Sequence, residues 1–149
     1  MKLLIKSATI IDKSQASLHM KQRDILIEKG QITSIEKSIS ADKKMKVVER
    51  ENLHVSPGWF DSSVSFGEPG YEERETLANG LEVAGRSGFT GIVLNTNTQP
   101  HPDTGGDIVF LKESAKSHCT ALYPMGTVSM ASKGKVLSEM FDMHLSGAV

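Results

Sequence analysis

The sequence predicts an α/β fold in which a small β-rich region leads into parallel βαβ units, and three observations carry that reading. Short apolar, β-branched runs crowd residues 1–55 without a helical period. Beyond residue 56, buried-type strands alternate with stretches whose apolar residues recur at i, i+4 and i+7, the signature of strand–helix–strand units. Finally, the 149 residues are 38% hydrophobic, with Lys plus Arg at 17 against Asp plus Glu at 18. That length suffices for an ordinary core. The balanced charge argues against a nucleic-acid partner or a membrane surface. No apolar run approaches the ~20 residues of a membrane span, and a cytoplasmic protein is expected.

In the first region, Leu3–Ile5 and Ala8–Ile11 read as strand. Ile25–Ile27 and Ile32–Ile35 flank Glu28-Lys29-Gly30-Gln31, a short-loop hairpin signal in which Gly30 accepts a positive φ. Further strands are expected at Met45–Val48 and Leu53–Val55, with the lysine-rich run 38–46 as a solvated loop after the hairpin. A strand with alternating character follows, Phe60, Ser62, Val64 and Phe66 against Asp61, Ser63 and Ser65.

A helix is predicted over Thr76–Ser87, with Leu77, Leu81 and Ala84 on one face and Gly88 as its stop. Glu72, Glu73 and Glu75 gather at its start, where the helix dipole favours them. Gly91–Asn95 reads as a buried strand. Then come a helix over Asp107–Ser117 (Ile108, Leu111, Ala115), a strand over Cys119–Met125 and a helix over Lys135–Leu145 built on Leu137, Met140 and Phe141. Gly147–Val149 reads as the start of one more strand. Cys119, the single cysteine, flanks an apolar strand and is expected to be a buried structural thiol. From pattern alone an open doubly wound sheet and a barrel are equally good.

Ser56–Gly70 reads S-P-G-W-F-D-S-S-V-S-F-G-E-P-G. It resembles the first barrel strand of the cyclic amidohydrolases, dihydroorotases above all, whose motif is P-G-x-x-D-x-H-V-H-x-R-E-P-G. Pro57, Gly58, Asp61, Val64, Glu68, Pro69 and Gly70 match it in spacing. Ser63 and Ser65 stand where the family has two metal-binding histidines, and Gly67 where it has a substrate-binding arginine. Downstream, Asn97, Thr98 and Pro100 match the family's M-P-N-T-x-P run, whose asparagine helps to bind the substrate carboxylate; Asn95 and Thr96 replace Met and Pro. Tyr123–Lys135 resembles the family's P-x-G-x-x-T-K-G-x-x-G-K run, and Ser146–Val149 the front of A-G-A-V-A-F-S-D-D-G.

The resemblance implies a division into residues 1–55, part of an N-terminal β-domain, and residues 56–149, the first three βα units of a (β/α)₈ barrel. A whole barrel takes ~250 residues, so the sequence is expected to be a fragment of a longer chain. It further implies dihydroorotase chemistry, reversible hydrolysis of a ring amide in pyrimidine synthesis, for which the family uses zinc. Histidines two apart on a strand share a face and can clamp one ion, whereas serine hydroxyls are poor substitutes.

Three readings follow. The favoured one is a dihydroorotase homologue that has lost metal and catalysis and serves a structural role, as some family members do beside aspartate carbamoyltransferase. The second is an active amidohydrolase with substitute metal ligands, and the third a non-catalytic small-molecule binding module. On the favoured reading no catalytic residue, metal or other cofactor is expected. Asn97 remains as the substrate-binding candidate and Asp61 as a retained supporting residue. Taken alone, Ser63 and Ser65 are polar residues on a strand face, and the Asn/Thr/Pro run is ordinary turn chemistry. Of the five histidines only His101 is placed near the expected mouth. Open sheet edges near Val64 and Val149 predict a homo-oligomer, or an interface covering Phe66, Val93 or Leu122.

Overall fold

The computed structural model describes residues 2–149, and the chain divides into two compact units, Met1–Pro57 and Gly58–Val149. The first unit holds β1 (Lys2–Ile10), β2 (Gln22–Glu28), β3 (Gln31–Glu36), β4 (Met45–Val48) and β5 (His54–Val55). Their order is β3-β2-β1-β4, with β5 also paired to β1. The first three strands run antiparallel in a meander, and β4 and β5 run parallel to β1.

The β2–β3 turn places Lys29 at φ 52° and Gly30 at φ 80°. Two successive left-handed residues are what a tight hairpin needs to follow the strand twist. In β1 the register to β2 slips between Ile5 and Ala8, and Ser7 takes φ 54° there. The buried Asp24 holds this bulge: its carboxylate accepts the Ser7 N–H at 2.8 Å and the Ile39 N–H at 2.9 Å. The lysine-rich loop is therefore solvated along most of its length but anchored at Ile39. Leu4, Ala8, Ile10 and Ile25 form the buried apolar set of this unit.

The second unit contains β6 (Trp59–Val64), α1 (Leu77–Arg86), β7 (Phe89–Leu94), α2 (Gly105–Ala115), β8 (Ala121–Pro124), a 3₁₀ turn (Met130–Ser132) and α3 (Met140–Leu145). The strands form a parallel sheet in the order β6-β7-β8. Phe66, Leu77, Leu81, Ile92, Leu94, Leu111, Ala115 and Leu122 form one core between a single face of that sheet and α1 and α2. Val149 N–H bonds the Pro124 carbonyl at 3.1 Å, the contact a next parallel strand would begin with.

Helix α1 starts and stops where its sequence says it should. Thr76 caps it through Asn79 N–H, and Gly88, at φ 91°, follows its end. Its first turn carries no acidic residue, however, so the expected dipole role of Glu72, Glu73 and Glu75 is not how the end is served. Glu68 reaches in instead, its carboxylate accepting the Leu77 N–H at 2.7 Å. Helix α2 begins two residues ahead of the expected Asp107 because Thr104 and Asp107 form a reciprocal capping box.

Three further expectations are corrected. Lys135–Leu145 is not one helix. Ala131 (φ 50°), Ser132 (φ 57°) and Gly134 (φ 67°) turn the chain back on itself, so that Ser129 bridges Leu137 and Ser138 N–H bonds Val128 O. Those bonds hold residues 136–138 extended, and α3 starts only at Met140. Leu137 and Phe141 are then 67% and 73% exposed, whereas Met143 is buried. Cys119 is exposed, because β8 begins at Ala121 and the thiol lies in the preceding turn, against Gly85. Phe66 and Leu122, expected at an interface, belong to the unit's own core, and Val93 is half-buried.

Candidate functional site

In parallel βα architectures chemistry gathers beyond the C-terminal ends of the strands, where successive loops converge. Here those ends are Val64 to Phe66 after β6 and Leu94 to Pro100 after β7. The β6 register fixes which side chains arrive there. Asp61 pairs with Ile92 and Val64 with Leu94, so β6 spends three residues where β7 spends two. This bulge breaks the expected alternation. Asp61, Val64 and Phe66 all line a cavity of about 210 Å³ on the helix side, with Glu75, Gly80 and Val83. Ser63 and Ser65 turn to the opposite face.

There they meet Asn95. Its side-chain amide donates to Ser63 Oγ at 3.2 Å and to Ser65 Oγ at 3.1 Å, and its backbone N–H donates to Val64 O at 2.8 Å. Asp61 makes no bond to Asn95 or to either serine hydroxyl; its carboxylate accepts the Ser63 N–H at 3.0 Å, a local strand-end bond. The same face carries Phe60 and Tyr123, which meet edge-on at 5.9 Å and are 59% and 40% exposed. The two faces of the sheet thus differ sharply: one is sealed by helices and the other is open.

The loop after β6 is closed on itself. Gly67 and Glu68 N–H groups both bond Glu75 O, and Tyr71 N–H bonds Gly67 O. A Cβ at position 67 would overlap the Tyr71 carbonyl oxygen. Arg74 lies over the Tyr71 ring at 4.3 Å. The Gly70 N–H donates to Glu72 at 2.8 Å and holds its carboxyl below the usual carboxylate range. This loop is joined to the next by the Gln99 N–H, which bonds Pro69 O at 2.9 Å.

Asn97 sits exposed on that second loop, between the half-buried Thr96 and the buried Thr98, whose hydroxyl donates to Pro100 O at 2.9 Å. The side chain of His101 folds back into the same loop, donating through Nδ1 to Thr96 O at 2.8 Å. Asn97 and His101 are therefore near one another in the chain but outside the Ser63–Asn95–Ser65 cluster. Sequence reasoning named Asn95 and Glu68 only as motif positions and missed the bonds they make. Asn95 had a signal: it is the first polar residue ending an apolar strand.

The donor set can be tested against the zinc that the motif implies. Ser63 and Ser65 are neutral and already accept N–H groups from Asn95. Among the described residues no three His, Cys, Asp or Glu side chains are placed to hold an ion together. The residues present here do not fit a zinc site, which needs imidazole, thiolate or carboxylate donors.

No family model matches the chain. Curated relatives do. The chain is 36% identical over 149 residues to a dihydroorotase of Pelotomaculum thermopropionicum, and 32% identical over 150 residues to one of Geobacter metallireducens. Both alignments take in the whole chain but only 34% and 35% of those proteins, so the chain spans about a third of their length. Among solved structures, the L-hydantoinase (dihydropyrimidinase) of Arthrobacter aurescens superposes with a TM-score of 0.80 at 20% identity, over 98% of this chain and 31% of that one. A dihydroorotase structure gives 0.58 at 14% identity, over 87% and 32%. Among the described residues no helix is long and apolar enough to cross a membrane. Consecutive parallel strands with both helices on one face suit a barrel and half of an open sheet alike; these neighbours are (β/α)₈ barrels and decide between them. The chain belongs to the dihydroorotase and cyclic amidohydrolase family, and corresponds to the N-terminal part of that fold, where a small β-sheet leads into the opening strands and helices of the barrel.

Proposed function

We propose that this chain is a dihydroorotase-like amidohydrolase homologue without hydrolytic activity, retained for a structural role. One observation carries the reading. The positions at which the motif calls for two histidines hold Ser63 and Ser65, and their hydroxyls are engaged by Asn95. Without an ion, no bound water is lowered toward a pKa of about 7, and no hydroxide is available to attack a ring amide at neutral pH. Gly67, where the motif has arginine, adds to this, because its surroundings leave no room for a side chain. The structural role has two forms: association with an aspartate carbamoyltransferase, and self-association through the open face around Phe60 and Tyr123, with β6 as a free sheet edge. Exposed Asn97 remains the candidate contact for a carboxylate-bearing ligand.

The test is elemental analysis after dialysis, joined to an assay of dihydroorotate ring opening with and without added zinc. Background rates and substoichiometric metal are expected. A second reading, active amidohydrolase with substitute ligands, is favoured by the dihydroorotase name of relatives more than 30% identical. Stoichiometric metal together with zinc-dependent turnover would establish it. Recovery of an aspartate carbamoyltransferase with the tagged protein from its own cells supports the assembly role; recovery of none opposes it.

A further inference from the structure

The misfit between the donor set and a metal ion has a positive counterpart. Asn95 makes three bonds to three consecutive residues of the neighbouring chain segment: its backbone N–H to Val64 O at 2.8 Å, and its side-chain amide to Ser63 Oγ at 3.2 Å and Ser65 Oγ at 3.1 Å. A carboxamide NH₂ has two hydrogens, and here each has its own acceptor. The arrangement depends on the β6 bulge. In a regular strand Ser63 and Ser65 would share a face with Asp61; the extra residue between Asp61 and Val64 turns them toward Asn95 while leaving Val64 and Phe66 on the core side.

An ion held by two residues of one strand and others across the sheet would tie the strand ends together. Here that tie is made by a carboxamide. We propose that Asn95 is the positioning residue of this mouth, a hydrogen-bonded joint between the ends of β6 and β7, and that Ser63 and Ser65 are its acceptors and not vacant ligand positions. The inference rests on the reading above that this chain holds no catalytic metal, but its test reads stability and proton environment, not turnover. It also explains why serine serves at these positions where alanine would not. Each hydroxyl accepts one amide hydrogen, and histidine at either position would remove that short acceptor.

The experiment is a double-mutant cycle in urea on the full chain, with Asn95→Ala, the pair Ser63→Ala and Ser65→Ala, and all three together. Each arm should lower the folded-to-unfolded ratio by about 2- to 10-fold per bond lost, the net size of a side-chain hydrogen bond. The triple variant should be no less stable than Asn95→Ala alone, because the serines then have nothing left to lose. Strict additivity would overturn the joint. Should Asn95→Ala fail to fold, the side-chain NH₂ signals of Asn95 in an amide NMR spectrum decide the matter without altering that residue. Ser63→Ala and Ser65→Ala should each shift one of its two protons, and indifference to both would overturn the proposal. Ring-opening activity with an intact cycle would reject the inactive reading and leave the joint standing; an absent cycle without activity would do the reverse.

Discussion

The carboxylate of Glu68 accepts the backbone N–H of Leu77 at 2.7 Å, reaching across nine residues to close the first turn of α1. Thr76 already serves one of the free N–H groups at that end, and Glu68 adds charge where the helix dipole rewards it. A residue of the E-P-G signature is thus part of the helix that packs Leu77 and Leu81 into the core. Glu68→Ala should cost about 1 kcal/mol, seen as a lower urea midpoint, with Glu68→Gln intermediate. An unchanged midpoint in both would mean that Thr76 alone is sufficient.

Gly67 is predicted to be intolerant of any side chain. The Tyr71 carbonyl occupies the space a Cβ needs, and that carbonyl belongs to a turn held by the Gly67 N–H to Glu75 O bond at 2.9 Å. Gly67→Ala should destabilise by about 1–3 kcal/mol, the usual cost of forced overpacking. Gly67→Arg should be no better despite restoring the motif's residue. A wild-type melting temperature for either variant would contradict this close approach.

The end of the chain offers a sharp contrast between neighbours. Met143 is buried and Phe141 is largely exposed, two residues apart on α3. Met143→Ala should cost about 2–5 kcal/mol, whereas Phe141→Ser should stay within about 0.5 kcal/mol. Thermal melts of the two variants check it; equal losses would restore the longer helix that the sequence pattern suggested.

How much was legible follows from these cases. The strand–helix alternation, the Gly88 stop of α1 and the β2–β3 hairpin could be read because each rests on local rules: Gly88 and Gly30 accept the positive φ that their turns need. The extent of α3 could not. Leu137 and Phe141 have helical spacing, but Ser129 and Val128, eight to ten residues upstream, capture that segment in extended form. Nor could the side of the sheet taken by Asp61 be read: alternation groups it with Ser63 and Ser65, but it lines the cavity with Val64 and Phe66, and a bulge leaves no mark in the order of polar and apolar residues. Motif positions were visible; the bonds by which Asn95 ties two of them together were not.

Two pH dependences follow from surface charges. The Gly70 N–H keeps Glu72 below the usual carboxylate range. The unfolded chain therefore takes up its proton first, so this contribution is whole above about pH 4.3 and fades as pH falls through the folded value. Lys2 is held above its ordinary value by its hydrogen bond to Glu28 at 2.6 Å, and loses its contribution on the alkaline side as pH rises through that value. Glu72→Gln should flatten the acid limb of a stability profile and Glu28→Gln the alkaline limb. Unaltered limbs would show that both bonds are matched in the unfolded chain.

Phe60 and Tyr123 supply a last prediction. If the open face associates, Phe60→Ser with Tyr123→Ser should lower the weight-average mass in light scattering while leaving the helix-side core intact, since neither residue belongs to it. A monomeric wild-type protein would remove the self-association proposal.

The bulge in β6 makes chain length a variable separate from chemical pattern. Because β6 carries one residue more than its partner between Asp61 and Val64, deleting Ser62 would equalise the two strands over that stretch and leave Val64 and Phe66 addressed to the helices. The same deletion at Val93 would do the opposite: Ile92 and Leu94 would become adjacent, one of them would be expelled from the core, and Asn95 would be turned over with everything after it. Insertions and deletions in this sheet are thus not equivalent by size or polarity. β6 has slack of a single residue between Asp61 and Val64, and β7 has one between Phe89 and Gly91 but none at Val93.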